Sequence, residues 1–157
     1  MNNTVESTLR FIHLTSSGLL AGSLGFGGSA LIPGWEHELP ARSATALRTQ
    51  KAFNAIGPTA MVTSIALLVG GRAGGFRRLL DAGAAASLAG VLGTTMLGTI
   101  PINQRLHESP ALDYPSETTL SDARNWGRAH KLRTALGVTA FVCAVGASLL
   151  SNRRQLK

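Results

Sequence analysis

Residues 134–152, TALGVTAFVCAVGASLLSN, contain no Asp, Glu, Lys or Arg. At about 1.5 Å of rise per residue, ~20 helical residues cross the ~30 Å hydrocarbon core of a bilayer, so this run is long enough to span one. Three more stretches share the property: Phe11 up to Glu36, Ala52 to Gly71 and Ala82 to Gln104. A soluble four-helix bundle puts charges on its outward face every turn, and these runs show no such stripe. The pattern predicts an all-α integral membrane four-helix bundle, a single domain over 1–157 with spans at about 11–32, 52–71, 80–101 and 133–151 and an extramembrane loop between helices 3 and 4. Mean hydropathy is only +0.18 because the connections are charged and the spans are rich in Gly, Ala, Ser and Thr.

Length and composition agree with this class. A chain of 157 residues has room for one modest domain, and 45% apolar with 15% charged residues lies far from disordered compositions. Lys and Arg number 15 against 8 Asp and Glu, a net charge of +7. The excess is neither gathered into one stripe nor interleaved with aromatics, which argues against nucleic acid as a partner. Cys143 is the only cysteine, so intrachain disulfides and CxxC metal sites are excluded.

Small residues recur in register. Ala82, Ala86, Gly90, Thr94 and Gly98 follow one another every four residues in the third run, as do Ala135, Thr139, Cys143, Ala147 and Ser151 in the fourth, and Gly18 and Gly22 form a GxxxG in the first. Such spacing lets membrane helices approach closely, within one chain or in a homo-oligomer. It also favours a packing role for Cys143 over a reactive one. The first run, preceded by Arg10, has features of a secretory signal, but its length and GxxxG point to a helix that is retained.

Four spans put both termini on one side, with the 71–78 turn. That side carries Arg10, Arg72, Arg77, Arg78, Arg153, Arg154 and Lys157; the other carries Arg42, Arg48, Lys51, Arg105, Arg124, Arg128, Lys131 and Arg133. Basic residues packed into a short turn weigh most, and Arg72, Arg77 and Arg78 place the termini in the cytosol. The turn itself suits lipid headgroups.

Chemistry is expected at the opposite face, where the two longer connections hold both tryptophans, Tyr114 and three of the four histidines. Trp35 and Tyr114 fit an interfacial belt. In Asn125-Trp-Gly-Arg-Ala-His-Lys-Leu-Arg133, a helix puts Trp126, His130 and Arg133 at i, i+4 and i+7 on one face: an aromatic plate, an imidazole and a fixed cation. Pro101 closes the third helix and sets Asn103 at the membrane boundary. An interfacial anchor, with Trp in the belt and Arg snorkelling, uses the same residues. His13 lies inside the first span as a neutral, hydrogen-bonded structural histidine; His37 and His107 lie in loops, and His107 would share a face with Asn103 if the helix continued past Pro101. Glu108 to Asp122 forms a polar connection, with Asp122 fitted to cap a following helix.

No repeated Glu-x-x-His pair, Walker loop or Gly-x-Ser-x-Gly elbow occurs. Neither is there a duplicated half of the kind that builds transporters.

The elements Pro101-Ile-Asn103-Gln-Arg-Leu106 and Trp126-Gly-Arg128-Ala-His130-Lys-Leu-Arg133 resemble those of the anthrone oxygenase family, small four-span membrane proteins. Thr15 to Gly22 resembles the family's opening helix, and Gln50, Gly57 and Pro58 its second. The resemblance implies oxidation of a polyketide anthrone by O2 to an anthraquinone with no recognised cofactor. An anthrone has an acidic methylene between two aryl rings, and its anion is electron-rich enough to pass an electron to oxygen. His130 is then the candidate base. Arg133, or Arg128, with the Asn103 amide would hold the oxyanion, and Trp126 would stack on the substrate, with Arg128 and Gln50 also lining it. A non-enzymatic membrane subunit, chaperone or lipid-binding module built on the same scaffold is the reading from another class.

Overall fold

The computed structural model describes residues 1–31, 39–71, 74–108 and 116–152, apart from the side chains of 28–31, 39–52, 107–108 and 152. All of the described secondary structure is helical. Helix α1 runs over Asn3–Leu31, α2 over Leu39–Gly70, α3 over Phe76–Thr94, α4 over Ile100–Glu108 and α5 over Glu117–Asn152. A π turn, Thr95–Thr99, joins α3 to α4 without a break, so the described residues form four long rods. Three are long and apolar enough to cross a membrane, within Phe53–Gly70, Phe76–Leu106 and Glu117–Ser151. Together these make the chain a membrane protein and the fold an all-α bundle, as the uncharged runs predict.

Which face of each rod turns inward is set by a repeat of alternating threes and fours. On α5 the buried positions are Ala123, Trp126, His130, Arg133, Gly137, Ala140, Ala144 and Ala147; on α1 they include Arg10, His13, Ser17, Leu20 and Leu24. Helix α3 buries Arg77, Asp81, Ala84, Leu88 and Val91, and α2 buries Gly57, Ala60, Ser64 and Leu67 at the same spacing. An average step of 3.5 residues nearly matches the helical period, so these positions stay on one seam, as in left-handed bundles.

This corrects the stripes expected at every fourth residue. Four residues turn a helix by about 400°, so such a stripe drifts about 40° per step and leaves the interface. Ala86, Ala135 and Thr139 are accordingly exposed, while Gly22 is exposed and a Cβ there would meet nothing within 4 Å. The close approaches fall at single positions, and two of them, Gly18 and Gly90, belong to the predicted stripes. A Cβ on Gly18 would stand 3.2 Å from the Phe141 ring, one on Gly90 2.9 Å from Leu136 Cδ1, and one on Gly137 2.9 Å from Leu24 Cδ1 and 3.7 Å from the Ala21 backbone. Glycine at 18 and 137 thus lets α1 and α5 lie antiparallel in close contact. Between the rods sits a small core of Leu20, Leu24, Ala60, Leu88, Val91 and Ala140, flanked by Phe53, Ile56, Met61 and Leu136. Large apolar side chains instead face outward: Phe26 is 73% and Leu97 86% exposed, with Phe11, Leu19, Val69, Phe76 and Val142 in the same condition.

Pro101 does not end the third rod. Having no N–H and a ring that crowds the preceding turn, it is absorbed by the π turn just before it, where the Ile100 N–H reaches back five residues to the Thr95 carbonyl. The Thr95 hydroxyl donates to the Val91 carbonyl at 2.7 Å. One inserted residue rotates the next helical segment by about 100°, and the buried face of α4 becomes Ile102, Asn103 and Leu106. The connection between the third and fourth rods is correspondingly shorter than the predicted loop, because α4 reaches Glu108 and α5 begins at Glu117. Ser116, not Asp122, starts α5: its hydroxyl accepts from the Thr119 N–H at 3.2 Å, while Asp122 accepts two bonds of 2.8 Å from Arg105 and ties α4 to α5.

If the α1–α5 contact carries the bundle, Gly137→Leu lowers the melting temperature in detergent by an amount equivalent to about 1–3 kcal/mol. Gly22→Leu leaves it nearly unchanged. Thermal unfolding followed by helical circular dichroism compares the two.

Candidate functional site

At the end of the seam away from the termini, four predicted residues come together from two elements. Trp126, His130 and Arg133 share the buried face of α5, and Asn103 reaches them from α4. The Trp126 indole N–H donates to Asn103 Oδ1 at 2.7 Å, which anchors the ring. Its face is stacked on His130, with centroids 4.8 Å apart and planes inclined by 7°. The plate expected to meet a substrate therefore has one face occupied by the imidazole. Asn103, expected to hold an oxyanion, has its carbonyl oxygen engaged in positioning Trp126.

The imidazole is fixed from the other side by α1. His130 Nε2 lies 2.9 Å from the Leu24 carbonyl oxygen. A carbonyl can only accept, so Nε2 carries a hydrogen, and in the neutral ring Nδ1 is the bare nitrogen. The same carbonyl takes a second contact at 3.3 Å from the Thr134 hydroxyl, which also donates to the His130 carbonyl at 3.0 Å.

Arg133 completes the cluster from one turn further along α5. Its Nη2 is 3.5 Å from His130 Nδ1, and its guanidinium carbon stands 5.7 Å from the centre of the Phe53 ring of α2. The residue is 6% exposed, and among the described residues its Nε has no hydrogen-bond partner and no carboxylate pairs with it. A buried cation held, among the described residues, by an imidazole edge and an aromatic face alone is costly unless an anion joins it.

The remaining predicted residues do not join this group. Arg128 is exposed at the rim, since two residues beyond Trp126 is about 200° round the helix. Gln50 is in α2 but its side chain lies outside the described residues, as do the side chain of His107 and all of Trp35, His37 and Tyr114. His13 is buried near the other end, with Nδ1 3.4 Å from both the Ser17 and Thr63 hydroxyls, in keeping with a hydrogen-bonded structural role.

The model of the anthrone oxygenase family matches residues 45–143, which include Asn103, Trp126, His130 and Arg133. The chain belongs to the anthrone oxygenase family. No curated protein and no solved structure matches it. Within this family member the matched segment carries all of the cluster except the α1 carbonyl that orients the imidazole.

A second polar group has no counterpart among the sequence motifs. At the terminal end Arg10 forms two bonds of 3.2 Å to the two oxygens of Asp81. Glu6 Oε1 accepts from Arg10 at 3.2 Å and from Arg77 at 2.9 Å, and Arg77 also donates to the Ser151 hydroxyl at 3.3 Å. Arg77 is therefore not the lipid-facing cation expected of the 71–78 turn. Glu6 and Arg10 at i, i+4 were the available signal, whereas Asp81 lies 71 residues from its partner. Two arginines and two carboxylates balance there, in contrast with the solitary Arg133.

The orientation of His130 is directly measurable. With ¹⁵N-histidine-labelled protein in detergent, the signals lost on His130→Gln belong to this ring. They are expected to show a protonated Nε2 and a bare Nδ1 at neutral pH; the opposite tautomer would contradict the Leu24 contact.

Proposed function

We propose that the protein is a multi-pass membrane monooxygenase that oxidises a polyketide anthrone, or a related planar aromatic, to its anthraquinone with O2. The observation that carries this reading is Arg133, a buried guanidinium with no carboxylate partner among the described residues, set against the bare nitrogen of His130. A base and an unneutralised cation at one point suit a substrate that becomes an anion as it reacts. Family membership supports the substrate class.

In this reading His130 takes the proton, Arg133 holds the resulting oxyanion, and Asn103 acts through Trp126 to keep the imidazole in place. The anthrolate passes an electron to O2, the radical pair combines to a hydroperoxide at the ring carbon, and loss of water leaves the second carbonyl. One oxygen atom ends in the quinone and the other in water, with all electrons supplied by the substrate, so the balance calls for no separate reductant. A membrane setting gives a poorly soluble polyketide access from the lipid.

We further propose that α1 is a fourth span, making one four-span domain with both termini in the cytosol. Phe11, Leu19 and Phe26 on its outward face support the span. Arg72 and Arg78 in the turn, with Arg153, Arg154 and Lys157 in the tail, support the orientation.

Oxygen uptake and product spectra with a model anthrone such as emodin anthrone test the reaction, beside membranes lacking the protein to subtract autoxidation. His130→Ala is expected to slow the catalysed rate by about 10²–10⁴-fold and Arg133→Gln by about 10²–10³-fold, in variants whose melting temperatures show that they fold. A wild-type rate equal to that of the empty membrane would overturn the proposal in favour of a non-enzymatic role.

A further inference from the structure

The cluster also bears on which proton is removed. We propose that this site takes the proton from oxygen, so that the substrate is bound as a phenol or enol, the hydroxyl tautomer of an anthrone, and not as a carbon acid. The inference rests on the anthrone reading and specifies the functional group that the site receives.

The imidazole offers a single lone pair. Nε2 of His130 is held by the Leu24 carbonyl at 2.9 Å, so Nδ1 is the only ring nitrogen that can accept a proton. Arg133 Nη2 lies 3.5 Å from that atom. Whatever brings its proton to Nδ1 is therefore also against the guanidinium. A hydroxyl oxygen satisfies both neighbours, donating to Nδ1 and accepting from Nη2 at about 2.8 Å each. A methylene cannot, because carbon has no lone pair to offer the cation. In the keto form of an anthrone the acidic carbon and the carbonyl oxygen lie at opposite ends of the central ring. A base and a cation at a single point cannot serve both. In the hydroxyl tautomer one atom carries the proton and the developing charge.

The members of the cluster also differ in how they are held. Trp126 is tied to Asn103 at 2.7 Å and His130 to Leu24 at 2.9 Å, whereas among the described residues Arg133 has only the 3.5 Å contact to Nδ1 and the Phe53 ring. Arg133 is thus the part that shifts to admit an oxygen between itself and Nδ1. In the transfer the substrate O–H bond breaks, an N–H bond forms at Nδ1, and the electron pair stays on oxygen beside Arg133. No electron leaves the substrate in this step, and the anion is the same anthrolate that either tautomer would yield.

A phenol with no oxidisable methylene isolates the step. 2-Hydroxyanthraquinone changes colour on ionisation, and its methyl ether cannot ionise. Titrated into the full-length protein in detergent, at a pH where the free phenol is neutral, it is expected to show the phenolate spectrum when bound. That signal should fall at least tenfold in His130→Gln and in Arg133→Gln, survive partly in Arg133→Lys, and persist in the exposed control Arg124→Gln. The ether should give no such signal.

Single-turnover oxidation supplies the second arm. Anthrol generated by a pH jump is expected to be consumed in a burst, while anthrone consumption saturates at the uncatalysed rate of tautomerisation however much protein is added. Anthrone oxidised faster than that limit, with a primary isotope effect from deuterium at its methylene and no phenolate signal from the phenol, would overturn the inference while leaving the oxidation reading intact. Phenolate binding without anthraquinone formation would support the inference and overturn the oxidation.

Discussion

The antiparallel contact between α1 and α5 is the constraint on which the rest of the molecule depends. Both helices present seams stepped by threes and fours, and Gly18 and Gly137 bring them close enough for a side chain of one to reach the backbone of the other. That is how the Leu24 carbonyl comes to lie 2.9 Å from His130 Nε2. The contact is packing and chemistry at once: the register that buries Leu20 and Leu24 against Ala140 also decides which imidazole nitrogen is left bare. Buried between helices, where water does not compete, such a bond to a main-chain carbonyl is held firmly.

Charge is handled differently at the two ends of these seams. At the terminal end every buried ion among the described residues is answered, with Glu6 and Asp81 set against Arg10 and Arg77 across α1 and α3. At the other end Arg133 has no acidic partner among the described residues. Breaking a buried pair typically costs about 3–5 kcal/mol, and a paired cluster of this kind fixes helix register without leaving a field to attract an anion. The lone guanidinium does leave such a field. Between the two ends lies the layer of Leu20, Leu24, Ala60, Leu88, Val91 and Ala140, which keeps the compensating carboxylates away from the uncompensated cation.

How much of this is visible in the amino-acid sequence depends on the distance over which each signal acts. The uncharged runs identify the rods because hydrophobic length is local, and Trp126, His130 and Arg133 declare a shared face because their spacing is a property of one helix. The small-residue stripes place Gly18, Gly90 and Ala147 correctly and mislead at Gly22, Ala86, Ala135 and Thr139, because Gly, Ala and Ser are abundant enough in these helices to be found at any short period. Only burial shows that the true repeat averages 3.5. Pro101 is ambiguous for a similar reason: the ring that ends a helix can also be accommodated by a wide turn, and the threonines at 95 and 99 that line it do not stand out in a Gly- and Thr-rich segment. The Arg10–Asp81 pair spans much of the chain, and the Leu24 carbonyl is backbone, which carries no residue-type signal at all.

The arrangement of the cluster has a further logic that lies in the plane of the imidazole. Stacking on Trp126 covers a face of the ring, but protons enter and leave in the ring plane, along the lone pairs of its nitrogens. The stack therefore fixes the orientation of His130 without obstructing its chemistry, and the Asn103 bond to the indole fixes the stack. The base is held on both sides while the cation is not. Stabilising a charge that appears only during the reaction is most effective when the donor is already desolvated and needs little reorganisation to meet it. Arg133, buried, in contact with the base and tied to no acid, meets that description because the bundle has given every other buried arginine among the described residues a partner of its own.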